Sequence, residues 1–328
     1  MYNEEVKQRF IKEFNSSLSR RKTTMDVFNL LEPYEENWGS DFCTRSKSEI
    51  QPVIGEIVGF RTKSQSTRVS ILKSYVRWCI ENRVEGACDE LLSIKTNEIG
   101  LEKLKRQMVA SPQHLQRYLN CLFDKDSEET VGCVYRCFYW LAYGGMREED
   151  VLNVTTSDVD LQRMVVRYNG YEYPIYREAV PAFTNCVRLK EFRYKNSNYV
   201  FERSSFRERA SGDMLLRGFG ESESLNAFRV EMSRKARLQK FRADKDMNDK
   251  SLDLKLSFYR VWLSGLFYRT YENERAGMPV DFSTASKFFT EGKNYKLDSG
   301  RNTILAKQRK VAREYLEDYN RWKEVYSV

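Results

Sequence analysis

Apolar residues recur at helical spacing through the first third of the chain. Val6, Phe10 and Phe14 form one stripe, and Val27, Leu30, Leu31 and Tyr34 form a second. Ile50, Val53, Ile54, Ile57 and Val58 continue the pattern. From Ser64 to Arg83 the spacing predicts the clearest helix of all, with Ser64 or Ser66 as cap and Val69, Leu72, Val76, Cys79 and Ile80 on one face. Arg68, Lys73 and Arg77 fall on its other side. Residues 1–108 therefore read as an all-helical bundle.

The end of the polar stretch 98–110 reads as a linker. Ser111-Pro112 opens a new helix, with Ser as cap and Pro at the first position. A further helix is predicted to end at Tyr143, where Gly144-Gly145 can take the left-handed conformation that stops helices. The period then changes. Residues 163–168 alternate and are β-branched, Asn169-Gly170 signals a two-residue type I′ turn, and 171–176 makes the return strand. Helices are expected at 181–192, 224–241, 256–275 and 301–326, a short strand at 198–201 and a polar loop at 202–223. The fold class is mainly α with a small antiparallel β-sheet. Two domains are expected, a helical one over 1–108 and a mostly helical one over 111–328, since at roughly 100–200 residues per domain a chain of 328 suggests two.

Composition narrows the chemistry. The 328 residues are 41% hydrophobic and 31% charged, and the net charge of +8 favours an anionic partner such as nucleic acid. The odd count of 7 cysteines, the lack of a CxxC pair and the lack of a visible secretory segment point to reduced thiols in a cytoplasm. The most apolar stretch, 133–146, is too short to span a bilayer and carries Arg136, so no membrane role is expected. The single histidine, His114, argues against a zinc site and against a Ser-His-Asp or Cys-His hydrolase; it reads as a first-turn surface residue. No metal and no cofactor are expected.

One segment resembles a known family. Tyr139-Trp-Leu-Ala-Tyr-Gly-Gly-Met-Arg-Glu-Glu-Asp, followed by Ser157-Asp158 and a β-hairpin, resembles the first signature box of tyrosine recombinases (phage integrases). Leu256-Ser-Phe-Tyr-Arg260 resembles the second box, where the family has His-x-x-Arg. Residues 67–83 resemble the last long helix of the family's core-binding domain. The resemblance covers roughly residues 45–276 and implies a two-domain recombinase architecture, a core-binding domain and a catalytic-like domain. Arg147 and Arg260 then fall on the two arginines that clamp the scissile phosphate, a task suited to the bidentate guanidinium.

The departures fall on the chemistry. The family's lysine belongs near the hairpin turn, yet Lys190 is the sole lysine between Arg163 and Phe192. Ser257 stands where the second box has histidine. The nucleophilic tyrosine has candidates in Tyr315 and Tyr319, but their neighbours suit packing. The resemblance thus implies a degenerate enzyme that binds DNA without cutting it, and it extends to the integrase-like master repressors of SPβ-type Bacillus prophages. This implies a transcriptional repressor that maintains lysogeny.

The expected DNA contacts are Lys63, Arg68, Lys73, Arg77, Arg147, Arg260 and, on the basic 224–241 helix, Arg234, Lys235 and Arg237. The expected partner is double-stranded operator DNA in a bacterial nucleoid, with the C-terminal helix a candidate for self-association. A protein or peptide anti-repressor stays open as a further partner. An active recombinase using Tyr315 or Tyr319 also stays open, as does a helical interaction module that binds no DNA.

Overall fold

A computed structural model of the chain describes residues 1–14, 17–95, 105, 108–122, 132–189, 191–198, 201–208, 214–216, 257–280 and 301–328. They form two compact units, one of 1–107 with 282–328 and one of 108–281. The architecture is mainly helical with small antiparallel sheets, the expected class.

The first unit contains α1 (Glu4–Phe14), α2 (Leu18–Trp38), α3 (Lys47–Ile57), α4 (Thr62–Glu81) and, from the far end of the chain, α9 (Arg301–Tyr326). Most positions of the apolar stripes read from the sequence become its core, but Phe14, Leu30 and Ile80, expected on those stripes, are exposed at the ends or edges of their helices. Phe10, Phe28, Phe42 and Tyr75 are buried with ring centroids 5.0–6.3 Å apart. The loops before α2 and α3 each supply a cap. Ser17 accepts the Arg20 amide, and Ser46 with Glu49 closes a capping box that starts α3. Beneath the aromatic cluster Lys7 and Glu35 form an ion pair with both side chains fully buried, Lys7 Nζ donating to Glu35 at 2.6 Å. The Phe42 amide donates to the same carboxylate at 3.1 Å. Asp41 accepts from the Tyr75 hydroxyl at 2.7 Å and from the Cys43 amide at 3.0 Å. These polar groups fix how the 38–46 turn sits against α1 and α4, because a buried charge without a partner is strongly disfavoured.

The second unit contains α5 (Pro112–Leu122), α6 (Gly132–Tyr143), the sheet β1 (Val159–Asp160), β2 (Val165–Tyr168) and β3 (Tyr171–Pro174), then α7 (Val180–Arg188), the hairpin β4 (Glu191–Asn198) and β5 (Phe201–Glu208), and α8 (Phe258–Arg275). The three-stranded sheet has order β1-β2-β3, with Val166 opposite Tyr173 and Tyr168 opposite Tyr171. Asn169 at φ 49° and Gly170 at φ 79° make the type I′ turn that their sequence signals. All of α6 is buried, and α8 crosses its C-terminal end. That crossing depends on Gly265: a Cβ there would lie 1.9 Å from the Tyr143 carbonyl oxygen.

Two expectations need correction. The second domain does not run to residue 328, because the last helix belongs to the first unit. Its stripe of Ala312, Tyr315, Tyr319, Trp322 and Val325 is buried, and it packs on α4. The loop expected at 202–223 begins with a strand: β5 pairs with β4 over eight register positions, from Glu191 opposite Glu208 to Asn198 opposite Phe201. Alternation of aromatic and polar residues there is strand-like, and the serines and charges of 202–208 mask it. The expected helix at 224–241 lies outside the described residues.

Candidate nucleic-acid interface

Helix α4 buries Val69, Leu72, Tyr75, Val76 and Cys79 and turns the opposite stripe outward. Because one turn takes 3.6 residues, Lys63, Ser66, Thr67, Ser70, Ser74 and Arg77 align along that stripe. All are exposed except the half-buried Ser74. The stripe is about 21 Å long at 1.5 Å per residue, with a cation at each end and hydroxyls between. Beside it runs a groove of about 630 Å³ walled by α2, where Ser19, Arg20 and Thr23 face Ser66, Thr67, Ser70 and Ser74. A second hollow of about 290 Å³ shares Thr23 and Thr67 with it and extends to Arg61, Lys63 and Arg68, with one carboxylate, Asp26, also on its wall. Hydroxyls that donate and accept, flanked by guanidinium and ammonium groups, suit a phosphodiester backbone and base edges.

The expected contacts on α4 separate into two kinds. Lys63 and Arg77 lie on the outward stripe. Arg68 instead donates to the Ile57 carbonyl, and burial holds its guanidinium below its usual range. Lys73 donates to the Leu92 carbonyl at 2.9 Å. Both sit beside apolar positions, and their long side chains reach back to uncapped backbone. The hydroxyl ladder was missed in the sequence because serine and threonine on a helix carry no charge signal. The repeat Ser66, Ser70, Ser74 at four-residue spacing was the available clue.

The N-terminal end of α4 has an unusual cap. Arg61 occupies the cap position and has no acceptor to offer, so the Thr62 amide donates to Asp318 of α9 at 2.9 Å. The same carboxylate accepts from Arg61 Nε at 2.8 Å. One turn earlier on α9, Glu314 lies 3.6 Å from Arg61 and 3.2 Å from Lys63. Arg321 donates to Gln65. The C-terminal helix, expected as a candidate for self-association, packs on α4 of its own chain.

In the second unit the segments that carry Arg147 and Arg260 meet. Trp262 Nε1 donates to the Gly145 carbonyl at 3.0 Å, which ties the segment before Arg147 to the first turn of α8, where Arg260 sits. Both arginines are half-buried. Arg147 does not open an α-helix: it precedes a turn, its carbonyl accepts from Asp150 at 3.1 Å, and a single 3-10 turn follows at Val151–Asn153. Ser257 is the cap of α8, accepting the Arg260 amide at 3.3 Å. On the hairpin, Arg167 pairs with Asp160 and Glu172, each at 3.1 Å, and Arg163 with Glu172 at 3.5 Å. Tyr315 and Tyr319 are buried on α9 in the first unit, rings stacked at 6.4 Å. Arg234, Lys235 and Arg237 lie outside the described residues.

His114 is half-buried; its Nδ1 accepts the Ala110 amide at 3.2 Å, and burial lowers its pKa. Among the described residues no cluster of His, Cys, Asp and Glu could hold a metal ion, and no helix is long and apolar enough to cross a membrane.

Residues 1–81 match a family described as MrpR, N-terminal core-binding domain. Among solved structures, the chain is similar to XerA recombinase, with 12% identity, 95% of this chain and 92% of that chain covered, and a TM-score of 0.36. It is also similar to the Tn1549 transposon integrase in complex with circular intermediate DNA, with 12% identity, coverage of 92% and 97%, and a TM-score of 0.34. No curated protein matches it.

Proposed function

We propose that the chain is a sequence-specific double-stranded-DNA-binding transcriptional repressor that performs no recombination. The observation that carries this is the α2/α4 groove, which lies within the segment matching a core-binding domain and presents hydroxyls between cations along one helix. Phosphate contacts from Arg20, Lys63 and Arg77 supply affinity, and the hydroxyl ladder supplies base or backbone positioning. In the second unit the arginines Arg147 and Arg260 hold phosphates. The chemistry is absent in this reading: Ser257 serves as a helix cap, the hairpin offers arginines already in ion pairs, and the tyrosine candidates are buried. The resemblance to integrase-like prophage repressors adds the role, silencing of lytic genes in a bacterial cytoplasm.

The test is to mix purified protein with fragments of the source genome at moderate salt and run the recovered complexes on native and SDS gels. A native shift that SDS abolishes is expected. A complex that survives SDS, and disappears in Tyr315→Phe or Tyr319→Phe, would establish an active recombinase instead. No shift at low salt would leave a helical interaction module that binds no DNA.

A further inference from the structure

We infer that Glu314 is an internal phosphate surrogate: in the free protein its carboxylate occupies Arg61 and Lys63 at the end of the α2/α4 groove, and DNA must displace it. This rests on the reading of that groove as a DNA seat. The two acidic residues of α9 that reach α4 differ in a way that separates their roles. Asp318 is buried, its side chain 3% exposed, and it is tied to both the Thr62 amide and Arg61. It is a fixed cap. Glu314 is 21% exposed and makes no bond to backbone here; it bridges Arg61 and Lys63, the latter with a side chain 61% exposed.

Those two cations line the hollow that continues the hydroxyl groove. The position is also the positive end of a helix of 20 residues, where an anion is favoured. A phosphodiester following the groove toward Arg61 meets a carboxylate in the place its own oxygens would take. Exposed pairs of this kind are weak and screened by salt, so the contact lowers DNA affinity without abolishing it. The outward stripe and its internal competitor come from opposite ends of the chain, so docking of α9 sets how many cations the groove offers.

The experiment is a fluorescence-anisotropy titration of a mixed-sequence 30-base-pair duplex between 50 and 200 mM KCl, with the full chain. Freeing about one cation for phosphate makes Glu314→Gln bind about 5–10-fold more tightly at 0.1 M salt and steepens the log–log salt slope by about 1. Lys63→Gln in the Glu314→Gln background should remove most of the gain. A purely structural role for Glu314 would not make the effect depend on Lys63. Glutamine keeps the shape and Asp318 keeps the cap, so the melting temperature should stay within a few degrees of the wild type. Binding by Glu314→Gln that equals or falls below the wild type's, or a gain that persists without Lys63, overturns the inference. If neither protein binds the duplex at 50 mM KCl, the DNA reading of the groove fails first and takes the inference with it.

Discussion

Asp318 caps a helix that begins 256 positions earlier, its carboxylate accepting the Thr62 amide at 2.9 Å. The bond replaces a local N-cap that Arg61 cannot provide, and it makes the last helix part of the first unit. Asp318→Ala leaves the Thr62 amide and Arg61 without this buried acceptor. The expected loss is about 1–3 kcal/mol in urea unfolding. Asp318→Asn should lose less, because its amide oxygen can still accept from Thr62. A fully stable alanine variant would show that solvent satisfies the helix end equally well.

The buried pair of Lys7 and Glu35 gives the first unit a pH-dependent stability. Burial pushes the Glu35 carboxyl up to about 7, against the opposing pull of Lys7. The folded value lies above the ordinary value of 4.5. The stability from this group is therefore complete below that ordinary value and is lost as pH rises through the folded value. Lys7→Met should cost about 3–5 kcal/mol at pH 8 by stranding the carboxylate. At pH 5 the cost should be smaller, because Glu35 takes up a proton. Urea midpoints at the two pH values decide it, and a pH-independent cost would contradict the assignment.

Gly265 sits where α8 crosses the end of α6, with no room for a Cβ beside the Tyr143 carbonyl. Gly265→Ala must push the two helices apart. A loss of about 1–3 kcal/mol is expected, read by thermal melting of the full chain. A melting curve identical to wild type would mean the helices can separate at no cost.

Arg68 and Arg77 lie nine positions apart on α4 and should behave oppositely. Arg77→Gln removes a cation from the outward stripe, so it should weaken DNA binding and reduce the salt slope by about 1. Arg68→Gln removes the donor to the Ile57 carbonyl. It should lower the unfolding midpoint and leave the slope nearly unchanged. Equal effects of the two changes on the slope would remove the distinction between them.

Much of the local structure is legible in the sequence. Most of the buried face of α4, the stop at Gly144-Gly145 and the Asn169-Gly170 turn follow from period and turn chemistry. The β4–β5 hairpin was hidden because its second strand is rich in serine and charge, where pairing partners rather than composition set the conformation. The separation of Lys63 and Arg77 from Arg68 and Lys73 was also hidden. All four are basic residues on one helix, and the difference lies in which backbone carbonyls stand within reach.

The sequence by itself determined which described segments form the main helices and that α6 stops at Gly144-Gly145, because apolar spacing and glycines act over a few residues. Only the tertiary structure decided that α9 joins the first unit, that Asp318 caps α4 and that Glu314 holds Arg61 and Lys63. The acidic residues of α9 carry no mark of those partners along the chain. Their partners lie some 250 positions away, and no local pattern encodes a contact that forms only when two distant amphipathic stripes bury each other.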